Sequence, residues 1–178
     1  MAKFVAFLRG MNLGGRRISN PDLCAAFDAL GFSDVAAFLA SGNVVFSATG
    51  TPTAIRSRLE SGLAEQLGYP VPSFVRTAAR VRALAELRPF ADRRASNPRG
   101  KPQVIFLSKK PASKAVAAAL TLETDDDWLT FDGEELLWSP RGNLSASELD
   151  LSSLEKLLGP TTIRTKNTID RLTAKHLG

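Results

Sequence analysis

Across residues 3–76 the apolar residues switch repeatedly between a two-residue and a 3.6-residue rhythm, and few topologies accept the resulting order. Residues 3–9 set Phe4, Ala6 and Leu8 against Val5, Phe7 and Arg9, which predicts a strand. A glycine-rich loop follows, Gly10-Met11-Asn12-Leu13-Gly14-Gly15-Arg16-Arg17. Asn20 is then the expected N-cap of a helix, with Pro21 at its first position and Asp22 behind it. Leu23, Ala26, Phe27 and Leu30 recur at helical spacing, and Gly31 stops the run. Residues 35–39 read as a strand, Ser41-Gly42-Asn43 as a tight turn and residues 44–47 as the returning strand. Thr51-Pro52 opens a second helix carrying Ile55, Leu59, Leu63 and Leu67, with Gly68 as its stop. Residues 71–76 read as a fourth strand, placed at a sheet edge by Pro70 and Pro72. The order β-α-β-β-α-β is the split βαβ, or ferredoxin-like, unit.

The remaining residues repeat that order with weaker signals. A short helix around Val81, Leu84 and Ala85 leads into a loop over residues 89–102. Strands are expected at 103–108, 128–131 and 135–138, the last two joined by an Asp132-Gly133 turn. Helices are expected at 111–120 and 151–158, the latter stopped by Gly159-Pro160. Residues 161–164 give a last strand and residues 167–176 a terminal helix. The expected fold class is therefore α+β, two ferredoxin-like (βαββαβ) units with antiparallel sheets. The expected division is a first unit over residues 1–76, a basic connector over 77–102 and a second unit with its terminal helix over 103–178. The duplication rests on element order, since no residue-level repeat stands out.

Composition closes several routes to chemistry. Of the 178 residues one is Cys and one is His. No disulfide forms within such a chain, and no zinc site of several Cys and His ligands can be assembled. A Cys-His or Ser-His mechanism would have to pass through His176. Cys24, beside an apolar helical stripe, is expected to be a half-buried small hydrophobe, and a lone Cys fits a reducing cytoplasm. The apolar run between Lys3 and Arg9 is too short for a secretory leader, and no stretch is long enough for a membrane span. The expected location is cytoplasmic, without membrane association. No cofactor motif is present: the glycine loop is neither a Walker A sequence nor G-x-G-x-x-G.

Formal charge is +5, unevenly distributed. Residues 76–110 hold ten bases, Arg76 through Lys110, against Glu86 and Asp92, a local balance of +8. Residues 123–135 hold seven acids and no base. The basic run could track a nucleic-acid backbone. The aromatic RNP pattern is missing, because the third strand reads Val44-Val45-Phe46-Ser47. A solvated loop over residues 93–101 is the plainer reading of its centre. The triplet Asp125-Asp126-Asp127 lacks EF-hand spacing, and no metal is expected there. Trp128 and Trp138 are expected to pack the second core.

Two motifs carry a resemblance. Phe7-Leu8-Arg9-Gly10-Met11-Asn12-Leu13-Gly14-Gly15 is similar to a pattern F-L-R-G-I-N-V-G-G, and Ala40-Ser41-Gly42-Asn43-Val44-Val45-Phe46 to Q-S-G-N-V-V-F. With one helix ending in Leu30-Gly31-Phe32 between them, the chain resembles the bacterial family known as domain of unknown function 1697. The likeness is strong over residues 4–47 and looser beyond. A terminal family segment, T-x-R-N-W-N-T, is matched at Thr162, Arg164, Asn167 and Thr168, with Thr165 replacing its Asn and Lys166 its Trp. The resemblance implies two ferredoxin-like plaits and implies no activity.

In such a plait the first and third strands are antiparallel neighbours at the sheet centre. Arg9, Gly10, Asn12, Gly14, Gly15 and Arg16 are thereby expected on the same rim as Ser41, Gly42 and Asn43. The first helix begins there, with its partial positive charge. Glycines let backbone N–H groups approach an anion, and Arg9, Arg16 and Arg17 offer bidentate contacts. Equally, Gly14-Gly15 can simply form the corner and Asn43 the hairpin turn. The segment from Arg164 through Asn167 to Thr168 is a second polar cluster, explained either by Asn167 or Thr165 capping the last helix or by closure of the segment onto this rim. Three functions are carried forward. The first is a binding or regulatory module for a small phosphate or carboxylate ligand. The second is an enzyme on a phosphorylated or nucleotide substrate that uses Arg9, Asn12 and Asn43 for electrostatic stabilisation. The third is a nucleic-acid binder through residues 76–110. Oligomeric state is not legible in the sequence.

Overall fold

The computed structural model describes residues 1–96 and 100–178. It divides into two compact units, Met1–Leu84 with Leu172–Gly178, and Ala85–Arg171. Residues 77–84, expected in a connector, belong to the first unit, and Ala78, Val81 and Leu84 among them are buried. No helix of the described residues is long and apolar enough to cross a membrane.

In the first unit, strands β1 (Ala2–Leu8), β2 (Ser33–Phe38), β3 (Asn43–Ala48) and β4 (Ser73–Thr77) form an antiparallel sheet in the order β2-β3-β1-β4. Helices α1 (Asn20–Ala29) and α2 (Pro52–Leu67) fill the two crossovers. β1 is buried on both faces, so its five apolar residues 4–8 read as a continuous run and not as an alternation. One face carries Phe4, Ala6 and Leu8 and packs with Val44 and Phe46 against Leu23 and Phe27 of α1 and Leu59 and Leu63 of α2. The rings of Phe27, Phe32 and Phe46 meet there at centroid distances of 4.8–5.8 Å. β4 is an edge strand, consistent with Pro72 just before it. Helix α3 (Ala78–Glu86) follows β4 without a loop.

The second unit repeats this plan. Strands β5 (Gln103–Leu107), β6 (Asp127–Asp132), β7 (Glu135–Pro140) and β8 (Thr161–Thr165) form a sheet in the order β6-β7-β5-β8, again antiparallel. α5 (Ser113–Leu120) and α6 (Leu151–Leu158) are the crossover helices, and α7 (Lys166–His176) follows β8 directly. Where the sequence suggested an unbroken loop over 89–102, a short helix α4 (Ala91–Ser96) forms; the loop's remaining residues 97–99 lie outside the described residues. Trp138 joins the core with Ile105, Leu136 and Leu154, whereas Trp128 packs on Phe90 and under the Arg93 guanidinium.

The structure also exposes a residue-level repeat that element order alone did not reveal. Arg76 pairs across the sheet with Val5, and Arg164 with Val104. The two segments read Val75-Arg76-Thr77 and Ile163-Arg164-Thr165. Each arginine is buried and donates to the carbonyl of the residue before it, at 3.1 and 2.9 Å. Each threonine hydroxyl accepts from the backbone N–H three residues on, at 3.2 and 3.1 Å, and so starts the next helix.

Candidate functional site

The rim of the first unit is built where β1 ends and β3 begins. Phe7 pairs with Asn43, and the Leu8 N–H donates to the Gly42 carbonyl at 2.8 Å. The loop leaving β1 and the turn entering β3 therefore share one end of the sheet. The Asn12 side-chain amide donates to the Ala40 carbonyl at 2.5 Å and ties the two segments together. Gly42 sits at φ +74°, and a Cβ there would meet Met11 Cγ at 2.9 Å and Leu8 Cβ at 3.1 Å. The turn needs a glycine both for its backbone angle and for the close approach of buried Met11.

Arg9, Asn12, Gly14, Gly15, Arg16, Arg17 and Ser41 are exposed on this rim, and Gly10 is half-buried. Arg16 stacks on the Tyr69 ring at 4.2 Å. Gly14 and Gly15 stand at φ +60° and +80°, and a Cβ at either would meet nothing within 4 Å, so their backbone faces open space. Asn43 is different. It is fully buried, and its amide donates to the Phe38 carbonyl at 3.0 Å and to Ser41 Oγ at 2.8 Å. Asn43 holds the turn together from beneath; the sequence had placed it among ligand contacts.

The start of α1 is also not as expected. Its N-cap is Ser19, not Asn20: the Ser19 hydroxyl oxygen accepts from the Asp22 N–H at 3.1 Å and donates to the Asp22 carboxylate at 2.6 Å. With an acid in its first turn and Pro21 supplying no N–H, this helix end is already satisfied.

Two rim features were not legible in the sequence. Leu39, 40% exposed, holds φ +58°, a strained angle for a branched side chain. The sequence had assigned it to a strand. Leu13 is 69% exposed beside Asn12, an apolar tip on an otherwise basic loop.

Arg164 and Asn167 lie in the second unit. Arg164 is buried on β8, bonded to Thr162 Oγ1 at 2.9 Å, and burial pushes its guanidinium down to about 10, still cationic at neutral pH. Thr165, not Asn167, caps α7, which leaves Asn167 exposed on the helix's first turn beside a cleft. The basic run is largely committed to internal partners. Arg82 donates to the Leu177 carbonyl, Arg88 to those of Ala85 and Leu87, and Arg94 to the Gly100 carbonyl and Ser139. Arg93 reaches Glu123 at 3.4 Å, one point where the basic and acidic runs meet. Arg99, also counted in the run, lies outside the described residues. Within the acidic triplet, buried Asp127 accepts from Trp138 Nε1 at 2.8 Å and Ser147 Oγ at 2.7 Å, and Asp126 pairs with Arg141 at 2.8 Å.

Among solved structures, the conserved bacterial protein SP0830 from Streptococcus pneumoniae is similar over 100% of this chain and 99% of its own, with a TM-score of 0.76 and 20% identity. That likeness extends the two-unit fold to a second protein. Among proteins of curated function, none matches. A family model described as protein of unknown function (DUF1697) matches residues 1–137, well over half of the chain, and the chain belongs to that family.

Proposed function

We propose that the protein is a binding module whose first unit accepts a small phosphorylated or carboxylated ligand on the rim formed by residues 9–17 and 39–42. The observation that carries this reading is the Asn12-to-Ala40 tie, which holds a loop bearing Arg9, Arg16 and Arg17 against the glycine turn. Neither segment contains an acid. The open backbone at Gly14 and Gly15 favours close approach of an anion's oxygens. Tyr69 orients the Arg16 guanidinium before any ligand arrives, which lowers the ordering cost of binding. The strain at Leu39 fits a turn shaped for recognition. Asn43 is a positioning residue here, acting through the turn it braces.

An enzyme using Arg9, Asn12 and Asn43 as donors to a developing charge is the weaker reading, because Asn43 is buried and the Asn12 amide is engaged with Ala40. Isothermal titration with inorganic pyrophosphate at low salt tests the proposal. Each charge-assisted contact is worth about 1.5–3 kcal/mol, so Arg16→Ala with Arg17→Ala is expected to weaken binding by at least about tenfold. Added salt should weaken wild-type binding further. Equal affinity in the double variant, or no heat of binding to the wild type, would overturn it.

A further inference from the structure

The second unit contains a cleft of ≈ 640 Å³, a volume suited to a small organic molecule. Its walls come from two places far apart in sequence: the α3–α4 connection with residues 101–102, and the first turn of α7. Leu87, Pro89 and Pro102 supply apolar surface. Arg88, Arg94, Lys101 and Lys166 bring four cations and Asp170 one acid. We propose that this cleft binds a small organic anion with a ring-sized apolar body, an aryl or acyl phosphate or carboxylate. The site is separate in residues from the rim described above.

The geometry assigns distinct parts. Lys166 is nearly buried, and its ammonium donates to the Ala85 carbonyl at 2.7 Å and to Asp170 at 2.5 Å. That pair cancels internally and joins α7 to the end of α3. Arg88 and Arg94 are held by backbone carbonyls, so their charges are fixed in position at the cleft wall. Beyond that pair the lining carries Arg88, Arg94 and Lys101 and no further acid. Lys101 is exposed, and Asn167 presents an exposed amide from the start of an eleven-residue helix, where the backbone dipole also favours an anion.

Two features hold the segments that carry this wall. Phe90, between Pro89 and Ala91, is held at φ +61° while its ring packs on Trp128 at 6.0 Å. A non-glycine residue in that region is strained, and the packing on Trp128 offsets the strain. Gly100 donates to the Pro140 and Arg141 carbonyls at 3.0 Å, and a Cβ there would come within 2.5 Å of the Gly142 carbonyl. Gly100 thus sets where Lys101 stands just before β5. Apolar walls that also carry fixed cations suit an amphiphilic anion better than a bare ion or a neutral ring.

The test is titration of the full chain with 1-naphthyl phosphate and 1-naphthoate, followed by backbone amide shifts in NMR spectra. Inorganic phosphate, 1-naphthol and a short single-stranded oligonucleotide serve as comparisons. The expected result is that at least one naphthyl anion binds and perturbs amides of residues 87–94, 101 and 166–170. Which anion binds more tightly tells phosphate from carboxylate. Lys101→Glu should lower the affinity by at least about tenfold, Ala91→Trp should abolish binding by filling the cleft, and Arg16→Ala with Arg17→Ala should leave it unchanged. Failure of both naphthyl anions to bind, whether or not the oligonucleotide does, naphthol binding as tightly as the anions, or unchanged affinity in both Lys101→Glu and Ala91→Trp would each overturn the proposal.

Discussion

At the scale of single residues, glycines of one loop system have unequal roles. Gly14 and Gly15 provide a positive φ in open surroundings, whereas Gly42 provides it under Met11 and Leu8. Gly15→Ala is expected to cost about 1–2 kcal/mol from backbone strain alone. Gly42→Ala should cost more, because overpacking adds about 1–3 kcal/mol. Urea unfolding of the two variants checks the order; equal losses would contradict the close approach at Gly42. Asn43→Ala removes the amide that serves the Phe38 carbonyl and should cost about 1–3 kcal/mol. Gly42 was legible as a turn glycine, and Asn43 as part of the same turn. The burial of Asn43 was not, since Asn in a hairpin turn ordinarily faces water, and nothing in a leucine announces the positive φ of Leu39.

At the scale of elements, the order of strands and helices followed from periodicity, and the errors collected at their ends. Thr51 and Gly68 bound α2 as the sequence suggested. At α1 two polar residues, Ser19 and Asn20, stood side by side before Pro21, and local preference does not choose between them; the Ser19–Asp22 pairing does. Ser19→Ala is accordingly expected to cost about 1 kcal/mol and Asn20→Ala much less. Thr77→Val and Thr165→Val should each cost about 1 kcal/mol for the same reason, at the equivalent starts of α3 and α7. Denaturant midpoints with unchanged slopes would report these losses. Helix α4 escaped the sequence reading because its six residues, rich in arginine, carry no apolar stripe; Arg94 is held instead by Gly100 and Ser139.

At the scale of the whole molecule, the second unit is one continuous stretch, Ala85–Arg171, whereas the first unit joins Met1–Leu84 with the C-terminal segment Leu172–Gly178. His176, the last residue of α7, lies edge-on to the Phe38 ring at 5.8 Å, and its carbonyl accepts from Lys3 Nζ at 3.2 Å. Burial first, then Lys175 and Lys3, hold its imidazole below the ordinary value of 6.5. Below pH 6.5 the unfolded chain then binds more proton than the folded one, so stability is lost as pH falls toward the lowered folded value. Thermal unfolding between pH 7 and pH 5 should show that loss, and His176→Gln should flatten it; a profile identical in the variant would remove His176 from the account.

Pattern alone determined the α+β class, the duplicated βαββαβ order and the placement of residues 9–15 beside residues 41–43, because periodicity and glycine punctuation are local properties and antiparallel neighbours share a rim by topology. Tertiary structure decided what those residues are free to do. It buried Asn43 and Arg164, gave Ser19 the cap, and gathered Lys101 and Asn167 at one cleft. Burial and partner choice depend on packing between segments far apart in the chain, and no local preference encodes them.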